Sequence, residues 1–127
     1  MLRNVAPEAT ITIATSANQV PQIKAQLGEA VGISIEPCRR DTFPAIALTT
    51  AYLHDVKKIS RNEAVVVCPV DPYVEEDYFR MLGKLHVQVE KGEANLVLMG
   101  ITPTYPSEKY GYIIPKSKDE ISFVNSF

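Results

Sequence analysis

The first third of the chain alternates between a strand pattern and a helix pattern. Isoleucines alternate with threonines within residues 9–16, which predicts a first strand. The segment 19–29 follows with a helical pattern, and its Pro21 fits a helix only if it lies in the first turn. Residues 31–35 alternate again and predict a second strand.

The middle of the chain repeats this order with longer apolar runs. A helical pattern extends from residue 43 to about residue 58, and Asp41 or Thr42 is positioned to cap it. Residues 64–68, AVVVC, form the uninterrupted apolar run that a strand buried on both faces requires. Apolar residues then recur at helical spacing from 74 to 89, which predicts a strongly amphipathic helix.

The last third predicts one more buried strand and a hairpin. ANLVLMGI, residues 94–101, has the pattern of a fourth strand. YGYIIP (110–115) and ISFVNSF (121–127) are short, β-like and joined by the polar KSKDE, which predicts a hairpin. Three strand-to-helix repeats with short connections indicate an α/β domain, with a right-handed, mostly parallel sheet flanked by helices.

Composition narrows the class of protein without naming a function. The 127 residues are 46% hydrophobic and 22% charged with a net charge of −2, so no basic stripe points to a nucleic acid or a membrane surface. No apolar run approaches the roughly 20 residues of a membrane-spanning helix, and the N-terminus lacks the apolar core of a signal peptide. Cys38 and Cys68 show no metal-like spacing, so a cytoplasmic location is expected.

Ligands of parallel α/β sheets bind beyond the carboxyl ends of the strands, and the first segment there is EPCRRDT, residues 36–42. Arg39 and Arg40 precede the start of a helix, and both features favour an anion. The alternative is a solvated turn in which Asp41 caps the helix and one arginine pairs with Glu36. The spacing of these residues leaves both interpretations open.

The second segment, CPVDPYVEED, places Asp71 between Pro69 and Pro72, just beyond the third predicted strand. A carboxylate on a rigid turn suits Mg²⁺, which prefers one or two carboxylates together with phosphate oxygens and water. The alternative is that Asp71 only starts the next helix, where the acidic residues 75–77 complement the helix dipole.

The third segment, TPTYPSEKYGYI, leads through Tyr110, Gly111 and Tyr112 into a strand. A glycine at this place allows the backbone to approach a sugar closely, but a simple β-bulge at Gly111 explains it equally and is the favoured interpretation. The sequence has neither a GxxxxGK[ST] nor a GxGxxG signature for phosphate binding.

Together, the three segments resemble the sugar-phosphate nucleotidyltransferases, most closely the mannose-1-phosphate guanylyltransferases. IEPCRRDTFPAIAL is similar to that family's E-P-x-G-R-N-T-A-P-A-I-A segment, and VVVCPVDPYV to its strand ending in L-P-A-D-H. GITPTYPSEKYGYI is similar to its G-I-x-P-T-x-P-x-T-G-Y-G-Y-I segment. The three segments follow the family's order across residues 31–114, and the resemblance implies a Rossmann-like fold of the nucleotide-diphospho-sugar transferase type.

The resemblance also implies an activity, namely transfer of a nucleotidyl group from GTP to mannose 1-phosphate with release of pyrophosphate and with Mg²⁺ as cofactor. The sugar phosphate would attack the α-phosphorus in line, so positioning and charge neutralisation would carry catalysis. The resemblance also implies the residues of the site. Those that bind the nucleotide would be Glu36, Pro37, Arg40, Asp41 and Thr42. The sugar would be bound by Tyr110, Gly111 and Tyr112, and Asp71 would act in catalysis and bind the metal.

Five residues differ from the family's motifs. Arg39 replaces a glycine, Asp41 replaces an asparagine, Phe43 replaces an alanine, Pro72 replaces a histidine and Lys109 replaces a threonine. An aspartate accepts hydrogen bonds from guanine but cannot donate as asparagine does. Another nucleotide or another sugar 1-phosphate is therefore the alternative to GTP and mannose 1-phosphate.

Two family motifs have no counterpart in the sequence, the glycine-rich loop G-G-x-G-[ST]-R-x-x-P that wraps the triphosphate and the F-x-E-K-P motif. Residues 1–127 are therefore expected to be an internal fragment, the central portion of a single nucleotidyltransferase domain, and to be inactive alone. A non-catalytic nucleotide-binding module is the alternative. Unpaired sheet edges in such a chain would favour self-association.

Overall fold

The computed structural model describes residues 2–127, which contain four helices and four strands. In chain order the elements are α1 (Leu2–Val5), β1 (Thr12–Ser16), a 3₁₀ turn (Ala17–Gln19), α2 (Val20–Leu27), β2 (Gly32–Glu36), α3 (Thr42–Asp55), α4 (Glu76–Glu90), β3 (Ile114–Pro115) and β4 (Val124–Ser126).

β1 and β2 form a parallel two-stranded sheet, and α2 connects them. Their register runs from Thr12 opposite Gly32 to Ser16 opposite Glu36. Glycine is needed at position 32 because a Cβ atom there would lie 2.8 Å from the Thr12 hydroxyl oxygen. The β–α–β unit with its helices confirms the predicted α/β class with a parallel sheet.

One face of this sheet is covered by α3 through polar side chains. Ser34 is only 2% exposed, and its hydroxyl oxygen accepts a hydrogen bond from the Thr49 hydroxyl at 3.2 Å. Residues alternate between the two faces of a strand, so Ile33 and Ile35 lie on the face opposite Ser34. The aliphatic face of β2 therefore points away from α3.

The helices begin and end where the local chemistry favours it. Pro21 lies in the first turn of α2, as predicted, and Gly28 ends that helix at φ 60°. Asp41, one of the two predicted caps, is the N-cap of α3, and the helix ends at Asp55, three residues before the expected end. None of the helices within residues 2–127 is long and apolar enough to cross a membrane.

The second half of the chain is organised around α4. Its Leu82 is the only apolar side chain buried among residues 2–127. β3 and β4 pair antiparallel, which confirms the predicted hairpin. The Lys84 ammonium donates to the Glu120 carboxylate at 2.9 Å and so joins α4 to the hairpin loop.

The predicted third and fourth strands are wrong. Neither 64–68 nor 94–101 is paired in a sheet of the described chain, and residues Val65, Val66 and Val67 are 45–57% exposed. A run of valines becomes a buried strand only where neighbouring strands satisfy its backbone and other elements cover both of its faces. Among residues 2–127 the only parallel strands, β1 and β2, pair with each other alone.

Candidate functional site

The loop 36–42 leaves the sheet at the carboxyl end of β2, beside the carboxyl end of β1. Glu36, the last residue of β2, is half-buried opposite Ser16. Pro37, Arg40, Asp41 and Thr42 are all exposed. The loop is thus at the edge of the sheet where ligands of parallel α/β proteins bind.

Asp41 combines a helix cap with a backbone conformation that favours glycine. Its Oδ1 accepts a hydrogen bond from the Thr42 N–H at 2.8 Å, and its φ and ψ are 74° and −176°. A residue other than glycine pays on the order of 1–3 kcal/mol in this region of φ and ψ. This strained residue lies in the turn between β2 and α3, and its conformation sets the direction in which the helix begins.

The two arginines of the loop are available for a ligand. Within residues 2–127, neither Arg39 nor Arg40 forms an ion pair, and both are exposed. The alternative interpretation of this loop is therefore right about Asp41 as the helix cap and wrong about an arginine paired with Glu36. Exposed guanidinium groups beside a helix start suit phosphate or carboxylate oxygens.

Asp71 lies on an exposed turn that is separate from the following helix. α4 begins at Glu76, so the alternative in which Asp71 starts that helix is wrong. In the described part of the chain, the carboxylate of Asp71 forms no hydrogen bond or ion pair and no three metal-ligating side chains converge. A single free carboxylate fits an Mg²⁺ ion that takes its other ligands from substrate phosphates and water.

An apolar cavity of about 230 Å³ adjoins the Asp71 turn, a feature that the sequence did not indicate. Its lining includes Pro69 and Pro72 from the turn, together with Cys68, Tyr78 and Phe79. Burial raises the pKa of the Cys68 thiol, and burial followed by the charge of a Cys68 thiolate raises the pKa of Tyr78. Both cysteines are free, and Cys68 behaves as a packing residue of this cavity.

The segment 110–112 is exposed and is shaped by a hydrogen bond that the sequence did not predict. The Tyr112 hydroxyl accepts a bond from the Ser107 N–H at 2.7 Å and closes the loop between them. The β-irregularity lies between Ile114 and Pro115, so the bulge expected at Gly111 is wrong. A Cβ at Gly111 would meet no atom within 4 Å, so packing within the chain does not require this glycine.

The three predicted site segments are not linked by polar contacts. No hydrogen bond or ion pair of residues 2–127 joins the loop 36–42, the Asp71 turn and the segment 110–112 to one another. Only the loop 36–42 directly follows a strand of the parallel sheet. Its position on the sheet, its free arginines and its strained cap make it the best-defined candidate site.

Known proteins with two different names are similar to this chain. The alginate biosynthesis protein AlgA of Pseudomonas putida is 35% identical over 94 residues, covering 72% of this chain and 18% of that protein. Mannose-1-phosphate guanylyltransferases of Salmonella montevideo and Escherichia coli are 30% and 35% identical, covering 76% and 64% of this chain. No solved structure matches the chain.

The similarity to a protein family extends along nearly the whole sequence. The chain spans only 19% and 17% of the lengths of the two guanylyltransferases. The family described as nucleotidyl transferase matches residues 2–126. The chain belongs to the nucleotidyl transferase family.

Proposed function

We propose that the loop 36–42 binds the nucleotide in a nucleotidyl transfer from GTP to mannose 1-phosphate. The observation that carries this proposal is the exposed Arg40, without an ion pair in the described chain, at the carboxyl end of β2. The names of the guanylyltransferase relatives support guanosine and mannose over other bases and sugars.

Asp41 is the residue of the loop that favours guanine over adenine. Its Oδ1 is held by the Thr42 N–H, while its Oδ2 accepts no hydrogen bond within residues 2–127. A carboxylate oxygen accepts from the N1–H and amino groups of guanine, whereas N1 of adenine is itself an acceptor. Glu36 and Pro37 then border the base, Arg40 meets the phosphates, and Thr42 presents the helix start.

Asp71 holds the Mg²⁺ of the reaction, and the segment 110–112 borders the sugar. The ion, when bound, neutralises charge on the phosphate that is attacked. Asp71 is exposed and free of ion pairs in the described residues, so its carboxylate needs no rearrangement to reach a ligand. The open space at Gly111 lets the backbone between Tyr110 and Tyr112 approach a hexose hydroxyl closely.

The chain as it stands acts as the central portion of a nucleotidyltransferase domain and binds its substrates without turnover. The family's glycine-rich triphosphate loop has no counterpart in its sequence, and a triphosphate needs many donors to offset its charge. We therefore expect millimolar affinity for GTP, carried by the base and by Arg40, and no formation of GDP-mannose.

Calorimetric titration with GTP and GDP-mannose, in the presence and absence of Mg²⁺, tests the proposal. ATP, UTP and dTTP are titrated as controls that carry other bases. Arg40→Ala is expected to abolish measurable binding. Arg39→Ala is the matched control, since it removes the same charge from a position where the family pattern has a glycine, and it should preserve binding. Equal losses in both variants, or equal affinity for all five nucleotides, would contradict a specific guanosine site.

A further inference from the structure

Within residues 2–127 the two-stranded sheet leaves the outer edge of each strand unpaired, and the edge at β2 is the one with an exposed isoleucine. In the part of the chain that the structure describes, the backbone of β2 pairs with β1 alone, so the groups on its other side have no strand partner. Natural sheet edges are protected by lysine, proline or a bulge. The β2 sequence, GISIE, contains neither lysine nor proline, and its register with β1 is unbroken.

β2 also carries the most exposed large apolar side chain of this sheet. Ile35 is 50% exposed, while Ile13 and Ile33 on the same face are half-buried. The opposite face is occupied by α3, so the exposure is confined to the face and edge that α3 leaves open. An apolar side chain beside an unpaired backbone edge is the chemistry that recruits another strand.

The area that the chain exposes is large enough for a stable interface. Its accessible surface is 10610 Å². A compact chain of this mass would expose about 6,700 Å², and a standard interface covers only about 800 Å² of each partner. One interface of ordinary size therefore fits well within the excess.

We propose that a second copy of this chain covers the unpaired edge of β2, with the β2 strands of the two copies paired antiparallel about Ser34. The product is a four-stranded sheet of order β1-β2-β2-β1. A two-fold axis at Ser34 places Ile35 of each copy opposite Ile33 of the other, so both isoleucines gain a cross-strand apolar partner.

Charge and helix spacing are compatible with this pairing. Each Glu36 faces Gly32 of the other copy, and the two Glu36 residues lie about 13 Å apart along the strands, beyond the screening length of about 8 Å. α3 contacts both β1 and β2, so the two α3 helices would lie about 10 Å apart above the joined sheet. That separation is close to the ordinary distance between packed helices.

Sedimentation equilibrium of the whole chain, from low micromolar to millimolar concentration, tests the proposal. The wild type is expected to form dimers, and Ile35→Lys should raise the dimer Kd about tenfold or more because a charge protects the edge. Val87→Lys on α4 is the matched control, since Val87 is 49% exposed and lies outside the sheet. A monomer at every concentration, or equal Kd values for the wild type and Ile35→Lys, would overturn the proposal.

Hydrogen exchange of the wild type locates the interface independently of any variant. Amides of β2 that do not bond to β1 should become protected as the concentration rises, and amides of α4 should not change. Protection that appears only outside β2 would overturn the proposal even where Ile35→Lys fails to fold. Nucleotide binding does not enter either readout, so the loop 36–42 can fail its own test separately.

Discussion

At the scale of single residues, Asp41 concentrates both strain and capping in one turn. Its positive φ disfavours every residue with a Cβ, while its carboxylate satisfies the Thr42 N–H at the start of α3. A cap of this kind stabilises a helix by about 1 kcal/mol, which is comparable to the cost of the strained backbone. The hydrogen bond of the cap therefore offsets a backbone conformation of Asp41 that is unfavourable by itself.

Three substitutions at Asp41 separate the cap from the strain. Asp41→Ala loses the cap and keeps the strain, so we expect a loss of about 1–2 kcal/mol in the free energy of unfolding. Asp41→Asn keeps an acceptor oxygen and tolerates positive φ, and should stay within about 0.5 kcal/mol of the wild type. Asp41→Gly relieves the strain and should not be destabilising. Urea unfolding measures all three, and an alanine variant as stable as the wild type would show that the cap contributes nothing.

At the scale of elements, one exposed ion pair fastens the hairpin loop to α4. The hydrogen bond from Lys84, and then its positive charge, hold the pKa of Glu120 below the usual value. The folded-state pKa is therefore below that of the unfolded chain. The pair stabilises the folded state at pH values above the ordinary carboxyl pKa, and this contribution is lost as the pH falls through the lowered value.

Removing Lys84 should return Glu120 to ordinary titration. In Lys84→Met we expect the pKa of Glu120 to rise, as followed by carboxyl ¹³C shifts in an NMR titration, and the amides of residues 114–126 to exchange faster. Lys118→Met is the control, because Lys118 is close in sequence but forms no ion pair with Glu120 in the described residues. An unchanged Glu120 titration in Lys84→Met would show that the ion pair does not persist in solution. The effect on stability should be small, because both side chains are exposed.

Elements with local signals were predictable from the sequence, and elements that depend on distant partners were not. Alternation, Pro21 and the Asp41 cap placed β1, α2, β2 and α3 within a few residues. The valine run 64–68 has the same apolar character as a central strand, but no strand lies beside it in the described residues. Hydrophobicity indicates what a segment can bury, whereas pairing depends on residues far away in the sequence.

In the molecule as a whole, some parts of the candidate site were predictable from the sequence and others were not. The place of the loop 36–42 follows from one strand and one helix, so it was predictable from the sequence. The cavity beside Asp71 and the bond from Ser107 to Tyr112 depend on packing and loop closure, for which the sequence has no local signal. A chain with a single buried apolar side chain among residues 2–127 leaves most of its apolar surface available for partners.

NMR shift mapping shows directly whether a guanosine nucleotide binds at the carboxyl end of β2. Uniformly ¹⁵N-labelled chain would be titrated with GTP to saturation in the presence of Mg²⁺, and the amide shifts followed residue by residue. We expect the largest shift changes at the amides of Arg40, Asp41 and Thr42, with smaller ones near Asp71. Saturable changes that leave the amide shifts of residues 36–42 unchanged would rule out nucleotide binding at this loop.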